Sequence, residues 1–123
     1  MTKEKSAAEL YEFANRHGLV STLYMVFGKN VNVNVPFSRK ACNNSIEEIQ
    51  FSARAANSMK RSGIFTIGDI IDSLQDERLL KVRNLGHKTY CEIQTKILVY
   101  GYERLNEREK LAFFRDVVRL NCD

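Results

Sequence analysis

Helix start and stop signals recur along this chain every ten to twenty residues, which restricts it to a series of short helices. Ser6 and Glu9 form a capping-box pair, apolar residues recur at Leu10, Phe13 and Ala14, and Gly18 ends the pattern. Leu19 to Phe27 follows as a second helix closed by Gly28. Ser52 caps a helix running to about Ser62, with Lys60 and Arg61 favourably near its negative end and Gly63 just beyond. Thr66 with Asp69 caps another, whose Ile67, Ile70, Ile71 and Leu74 share one face. Asp76 to Val82 allows a turn or two. The turn Asn84-Leu85-Gly86 then leads into a helix from His87 to Tyr100 that buries Tyr90, Ile93 and Ile97, with Gly101 as its stop. Asn106 and Glu109 cap a last helix with Leu111, Phe114 and Val118 on one stripe. Strand periodicity occurs once: Val31, Val33 and Val35 alternate with Asn32 and Asn34, and Pro36 bounds them. Without a partner run, this stretch reads as an extended segment across the core; pairing with another molecule is the alternative. The fold class is therefore all-α.

Composition excludes several classes. A single proline and no tryptophan in 123 residues disfavour an all-β domain of tight turns, and 44% apolar residues suffice for a core. No apolar stretch follows Met1, so no secretory signal is expected. The longest nearly apolar run, Leu19 to Phe27, is too short for a bilayer, so no membrane partner is expected. Cys42, Cys91 and Cys122 are widely separated and odd in number, which suits a reducing, cytoplasmic location and fits no zinc spacing. His87 has no second histidine nearby and His17 suits a helix end, so no metal and no cofactor are expected. No nucleophile–base grouping or nucleotide-hydrolase phosphate loop appears, which argues against catalysis. The net charge of +4 is unevenly spread. Residues 1–45 hold six basic residues against three acids, residues 46–105 nine against eight, and residues 106–123 four against four. A DNA contact in the nearly neutral middle must come from a small patch and be weak for a single copy.

Two segments could form such a patch. Arg54-Ala55-Ala56-Asn57-Ser58-Met59-Lys60 starts a helix with a guanidinium and an amide one turn apart. Leu79-Leu80-Lys81-Val82-Arg83-Asn84-Leu85-Gly86-His87-Lys88 has the layout of a helix-hairpin-helix element. Its glycine turn presents backbone N–H groups and a positive helix end, a natural seat for a phosphate, and Lys88 adds a charge beside it. Taken alone, the hairpin is read equally well as a plain helix connection. Lys88 also stands four residues before Glu92, the spacing of a surface ion pair.

The order and spacing of Ile46-Glu47-Glu48-Ile49-Gln50-Phe51-Ser52-Ala53-Arg54, Ala55 to Lys60, Ile67-Gly68-Asp69-Ile70, Leu79-Leu80 and Asn84-Leu85-Gly86-His87-Lys88-Thr89 resemble the carboxy-terminal domain of the bacterial RNA polymerase alpha subunit. The resemblance covers about 56 residues. It implies a compact bundle of short helices with helix-hairpin-helix-like elements. Here an amino-terminal helical and extended segment (1–45) and an extra carboxy-terminal helix (105–123) flank the domain (46–104). It also implies non-catalytic binding to A·T-rich promoter DNA through the minor groove, with contacts to activators, sigma factor or polymerase. Carried across by position, the principal DNA-binding arginine falls on Arg54, its asparagine partner on Asn57 and a small polar position on Ser58. The hairpin contributes Gly86, Lys88 and Thr89, with Glu92 one turn later. Arginine is drawn into the narrow A-tract groove by its concentrated negative potential, while glycine N–H and lysine fix the register on phosphates. Glu92 reads as an orienter of Arg54 or Lys88, since an acid beside phosphate repels.

The sequence departs from the family pattern in three places. Residues 1–45 do not resemble the alpha amino-terminal domain, which implies a stand-alone, nucleoid-associated protein. Glu47 and Glu48 match the family's sigma-facing acids, but Gln50 stands where a third is expected. Beyond residue 105, Phe113, Phe114, Val117 and Leu120 give a wide apolar surface. The expected partner of that surface is the amino-terminal helices, with a weak dimer contact as the alternative to a monomer. Two other readings remain open: an adaptor that uses the fold to bind a transcription factor or polymerase without DNA, and a helix-hairpin-helix binder of branched or nicked DNA in repair.

Overall fold

A computed structural model describes residues 6–36, 39–76, 79 and 85–121. Seven α-helices are formed among them: α1 (Ala7–His17), α2 (Leu19–Phe27), α3 (Arg39–Cys42), α4 (Ala53–Arg61), α5 (Ile67–Gln75), α6 (His87–Glu103) and α7 (Glu107–Asn121). A 3-10 turn, Ile46–Glu48, precedes α4. No strand is formed among the described residues; an isolated antiparallel bridge joins Ser45 and Thr66. The protein is thus all-α, as its punctuation requires. Leu80 to Asn84 of the hairpin, most of the turn expected over 76–82, and Cys122 lie outside the described residues.

The local signals act as expected. Ser6 Oγ accepts from Glu9 N–H while the Glu9 carboxylate accepts from Ser6 N–H, so two of α1's orphan donors are satisfied. Thr66 and Asp69 repeat the device at α5, and Asn106 and Glu109 at α7. Gly18, Gly28 and Gly63 adopt φ of 89°, 87° and 81°, a region that only glycine enters without strain. Gly101 departs from expectation: α6 runs through it to Glu103. A mid-helix glycine costs about 1 kcal/mol. Here the buried tyrosines on either side, Tyr100 and Tyr102, outweigh that cost.

The fold divides into two compact units, residues 1–36 with 102–123 and residues 37–101. In the first, α1 packs on both α2 and α7. Leu10, Leu23, Phe114 and Val117 are almost fully buried, and Tyr102, Phe113 and Phe114 meet edge-to-face with ring centres 5.3–5.6 Å apart. The buried stripe of α7 is therefore Phe113, Phe114 and Val117, with Leu111 and Val118 at its margins. Val31, Val33 and Val35 are half-buried while Asn32 and Asn34 face out. Asn121 holds this extended segment through both backbone groups of Asn32, at 2.8 and 2.7 Å.

In the second unit the core is Ile46, Ala55, Met59, Ile64, Ile67, Ile70, Leu79, Ile93 and Ile97. α3 packs on α5 at Gly68, where a Cβ would sit 3.0 Å from the Cys42 carbonyl oxygen and 3.1 Å from its Cβ.

Candidate nucleic-acid interface

α4 is amphipathic by construction. Ala55, Ser58 and Met59, at i, i+3 and i+4, face the core, which turns Arg54 and Asn57 outward. Ser52 caps the helix, its hydroxyl accepting from Ala55 N–H at 3.2 Å. Arg54 is exposed, and among the described residues no acid pairs with it and no partner engages the Asn57 amide. At the start of α6, Thr89 and Ile93 anchor the inner face, leaving Gly86, His87 and Lys88 exposed. Gly86 carbonyl accepts from Tyr90 N–H at 3.0 Å, so Gly86 is the residue from which the helix starts. The first N–H groups of such a helix have no intrahelical acceptor and carry its positive dipole end. A Cβ added at Gly86 would meet no atom within 4 Å among the described residues.

Glu92 joins the two elements. Its carboxylate accepts from the Ser52 backbone N–H at 2.7 Å and from the Ser52 hydroxyl at 2.8 Å. Lys96, not Lys88, is its ion-pair partner, at 3.3 Å. Partial burial pushes the Glu92 carboxyl up, but the hydrogen bonds from Ser52 and Lys96 outweigh it and hold the group below the usual glutamate value. Its bonds run to the cap of the helix carrying Arg54 rather than to Arg54 or Lys88 themselves. Arg54 follows that cap by two residues, and Lys88 precedes Glu92 by one turn, about 6 Å along the axis. Glu92 thus ties the start of α4, which carries Arg54, to the amino-terminal part of α6, which carries Lys88.

Ser58 and Thr89 are only 2% and 7% exposed. Both residues therefore sit mostly within the packing of the unit, not on its outer surface. The helical period already carried that information, since Ser58 stands between Ala55 and Met59 on the buried stripe. In the acidic strip, Glu47 pairs with Lys60 at 3.1 Å. Glu48 accepts from Tyr100 Oη at 3.0 Å and from the Asn44 amide at 3.3 Å. Gln50 is exposed, and its carbonyl accepts from Lys96. Sequence reasoning passed over Lys96, whose role depends on residues 46 positions away. No group of three or more metal-ligating side chains occurs among the described residues, and no described helix is long and apolar enough to cross a membrane.

Comparison with known proteins bears on residues 36–98, which match the sequence profile of the C-terminal domain of the bacterial RNA polymerase alpha subunit. Similar proteins include three DNA-directed RNA polymerase alpha subunits. That of Symbiobacterium thermophilum is 46% identical over 57 residues, 46% of this protein and 18% of the relative. That of Rubrobacter xylanophilus is 39% identical over 64 residues, 52% of this protein and 20% of the relative. That of Syntrophomonas wolfei is 47% identical over 53 residues, 43% of this protein and 16% of the relative. The match thus spans a fifth or less of the relatives' length. No solved structure matched the sequence.

Proposed function

Because this protein belongs to the family of bacterial RNA polymerase alpha carboxy-terminal domains, we propose that it is a non-catalytic transcription module that binds A·T-rich promoter DNA. In this reading Arg54 enters the minor groove, where A-tract narrowing concentrates negative potential, and Asn57 bonds to backbone oxygens or groove waters beside it. Gly86 N–H and Lys88 hold a phosphate and set the register. Ser58 and Thr89 shape this surface from beneath, and Glu92 orders it through Ser52. The observation that carries the reading is the pair of hydrogen bonds from Ser52 to Glu92, which ties the start of α6, where Lys88 is exposed, to the cap of the helix on which Arg54 and Asn57 are exposed.

Contacts to activators, sigma factor or polymerase belong to the same proposal, in a cytoplasmic, nucleoid-associated setting. The sigma-type strip is the weaker part of it, because Glu47 and Glu48 already have partners within the unit. The test is a titration of fluorescent A·T-rich and G·C-rich duplexes of equal length across a salt series. The proposal expects weak binding that favours the A·T duplex and falls steeply with salt. No response at low salt, together with capture of an activator or polymerase, favours the adaptor reading; preference for nicked or branched DNA favours the repair reading.

A further inference from the structure

We propose that Lys96 is a positioning residue for the DNA-contacting face, acting through Glu92 and residues 50–52 without touching DNA. The inference rests on the duplex-binding reading above. Lys96 lies eight residues beyond Lys88 on α6, outside both segments that carry the DNA assignment. Its ammonium donates to the Gln50 carbonyl, lies 3.3 Å from Glu92 Oε2 and sits 6.0 Å from the centre of the Phe51 ring. Glu92 in turn holds Ser52 by both its N–H and its hydroxyl. Two side chains of α6 therefore grip three consecutive residues that lead into α4, and the last of these is the cap of the helix bearing Arg54 and Asn57.

A half-exposed ion pair of this kind contributes little to stability by itself. Its consequence is geometric. With Lys96 in place, the first turn of α4 has one position relative to the first turns of α6. Without it, α6 keeps its grip on this segment through the Glu92 bonds to Ser52, and the guanidinium of Arg54 samples a wider region that duplex binding must then narrow at a cost in affinity. The surroundings of Lys96 also separate it from a direct phosphate ligand. A carbonyl, a carboxylate and an aromatic face already occupy its ammonium, in contrast to Lys88.

The experiment uses the full-length protein and compares Lys96→Met, which keeps the aliphatic stem, with Lys96→Arg, which keeps the charge. Each is titrated with the A·T-rich duplex over a salt series, and the Ser52 amide proton is followed by NMR. Lys96→Met should weaken binding about three- to tenfold, the effect of losing one hydrogen bond that orders the site. The salt slope should not change, Lys96→Arg should restore affinity, and the Ser52 amide should shift only in Lys96→Met. Unchanged affinity in Lys96→Met overturns the proposal. So does a salt slope lowered by about one counterion, which marks a phosphate contact, or a failure of arginine to rescue. A parent protein that binds no duplex overturns the underlying reading and this one with it. Full affinity in Lys96→Met beside a weakened Arg54→Ala variant overturns this one alone.

Discussion

Replacing Glu92 with glutamine keeps the shape of the side chain and removes the charge on which three donors converge. The carboxylate accepts from Ser52 N–H, from the Ser52 hydroxyl and from Lys96. A hydrogen bond to a charged group contributes about 1.5–3 kcal/mol net, and the lower end applies because the side chain is 22% exposed. The two Ser52 bonds then supply about 3 kcal/mol, and the pair with Lys96 adds about 0.3–0.5 kcal/mol. A glutamine oxygen retains one neutral bond of about 1 kcal/mol, while its amide group meets a donor instead of an acceptor. The net expectation is a destabilisation of about 2 kcal/mol at neutral pH. The pH dependence gives the sharper test. Since the folded carboxyl lies below its ordinary value of 4.5, its contribution is complete above that value and is lost as pH falls through the folded one. Urea unfolding of Glu92→Gln and the parent, followed from neutral to strongly acid pH, should show a gap that closes below pH 4.5. A gap of constant size, or none at neutral pH, refutes the clamp between α4 and α6.

Three further perturbations probe the two units. Phe114→Ala empties a fully buried site that two aromatic rings meet edge-on, and urea unfolding should report a loss of about 3–5 kcal/mol. Tyr102 presents a buried hydroxyl with no hydrogen-bond partner among the described residues, so Tyr102→Phe should stabilise the protein by about 1 kcal/mol or more. Burial, with Tyr11 nearby, pushes the Tyr102 hydroxyl up to about 12. The unfolded state therefore ionises first, and the parent should lose stability between pH 10 and about 12 in alkaline unfolding more steeply than Tyr102→Phe. Gly68→Ala places a methyl 3.0 Å from a backbone oxygen; overpacking of about 1–3 kcal/mol should exceed the roughly 1 kcal/mol gained in helix propensity, lowering the thermal midpoint.

What was legible in the sequence was mostly local. The capping boxes at Ser6, Thr66 and Asn106 join residues three apart, so their geometry follows once a helix begins there. The outward face of α4 is equally local: Arg54 and Asn57 lie off the stripe formed by Ala55 and Met59. Gly101 shows the limit of such reasoning. Whether a glycine ends a helix depends on the burial available beyond it, and Tyr102 meets edge-to-face the rings eleven and twelve residues later. α3, only four residues long, left no periodicity to read. The contacts that arrange the candidate interface join residues far apart in sequence, 40 for Glu92 with Ser52 and 46 for Lys96 with Gln50. An acid or a lysine on a helix surface gives no sign of its distant partner. The same holds for Asn121, the last residue of α7, which secures Asn32.

The most direct test of the central claim measures duplex affinity and its salt dependence for the parent, Arg54→Ala and Lys88→Ala on the A·T-rich sequence. The account predicts that Arg54→Ala weakens binding by about 1–3 kcal/mol and flattens the preference for A·T over G·C. Lys88→Ala should weaken binding to both duplexes alike and lower the salt slope by about one. If both variants bind as the parent does, the exposed cations of α4 and α6 are not the DNA-reading surface.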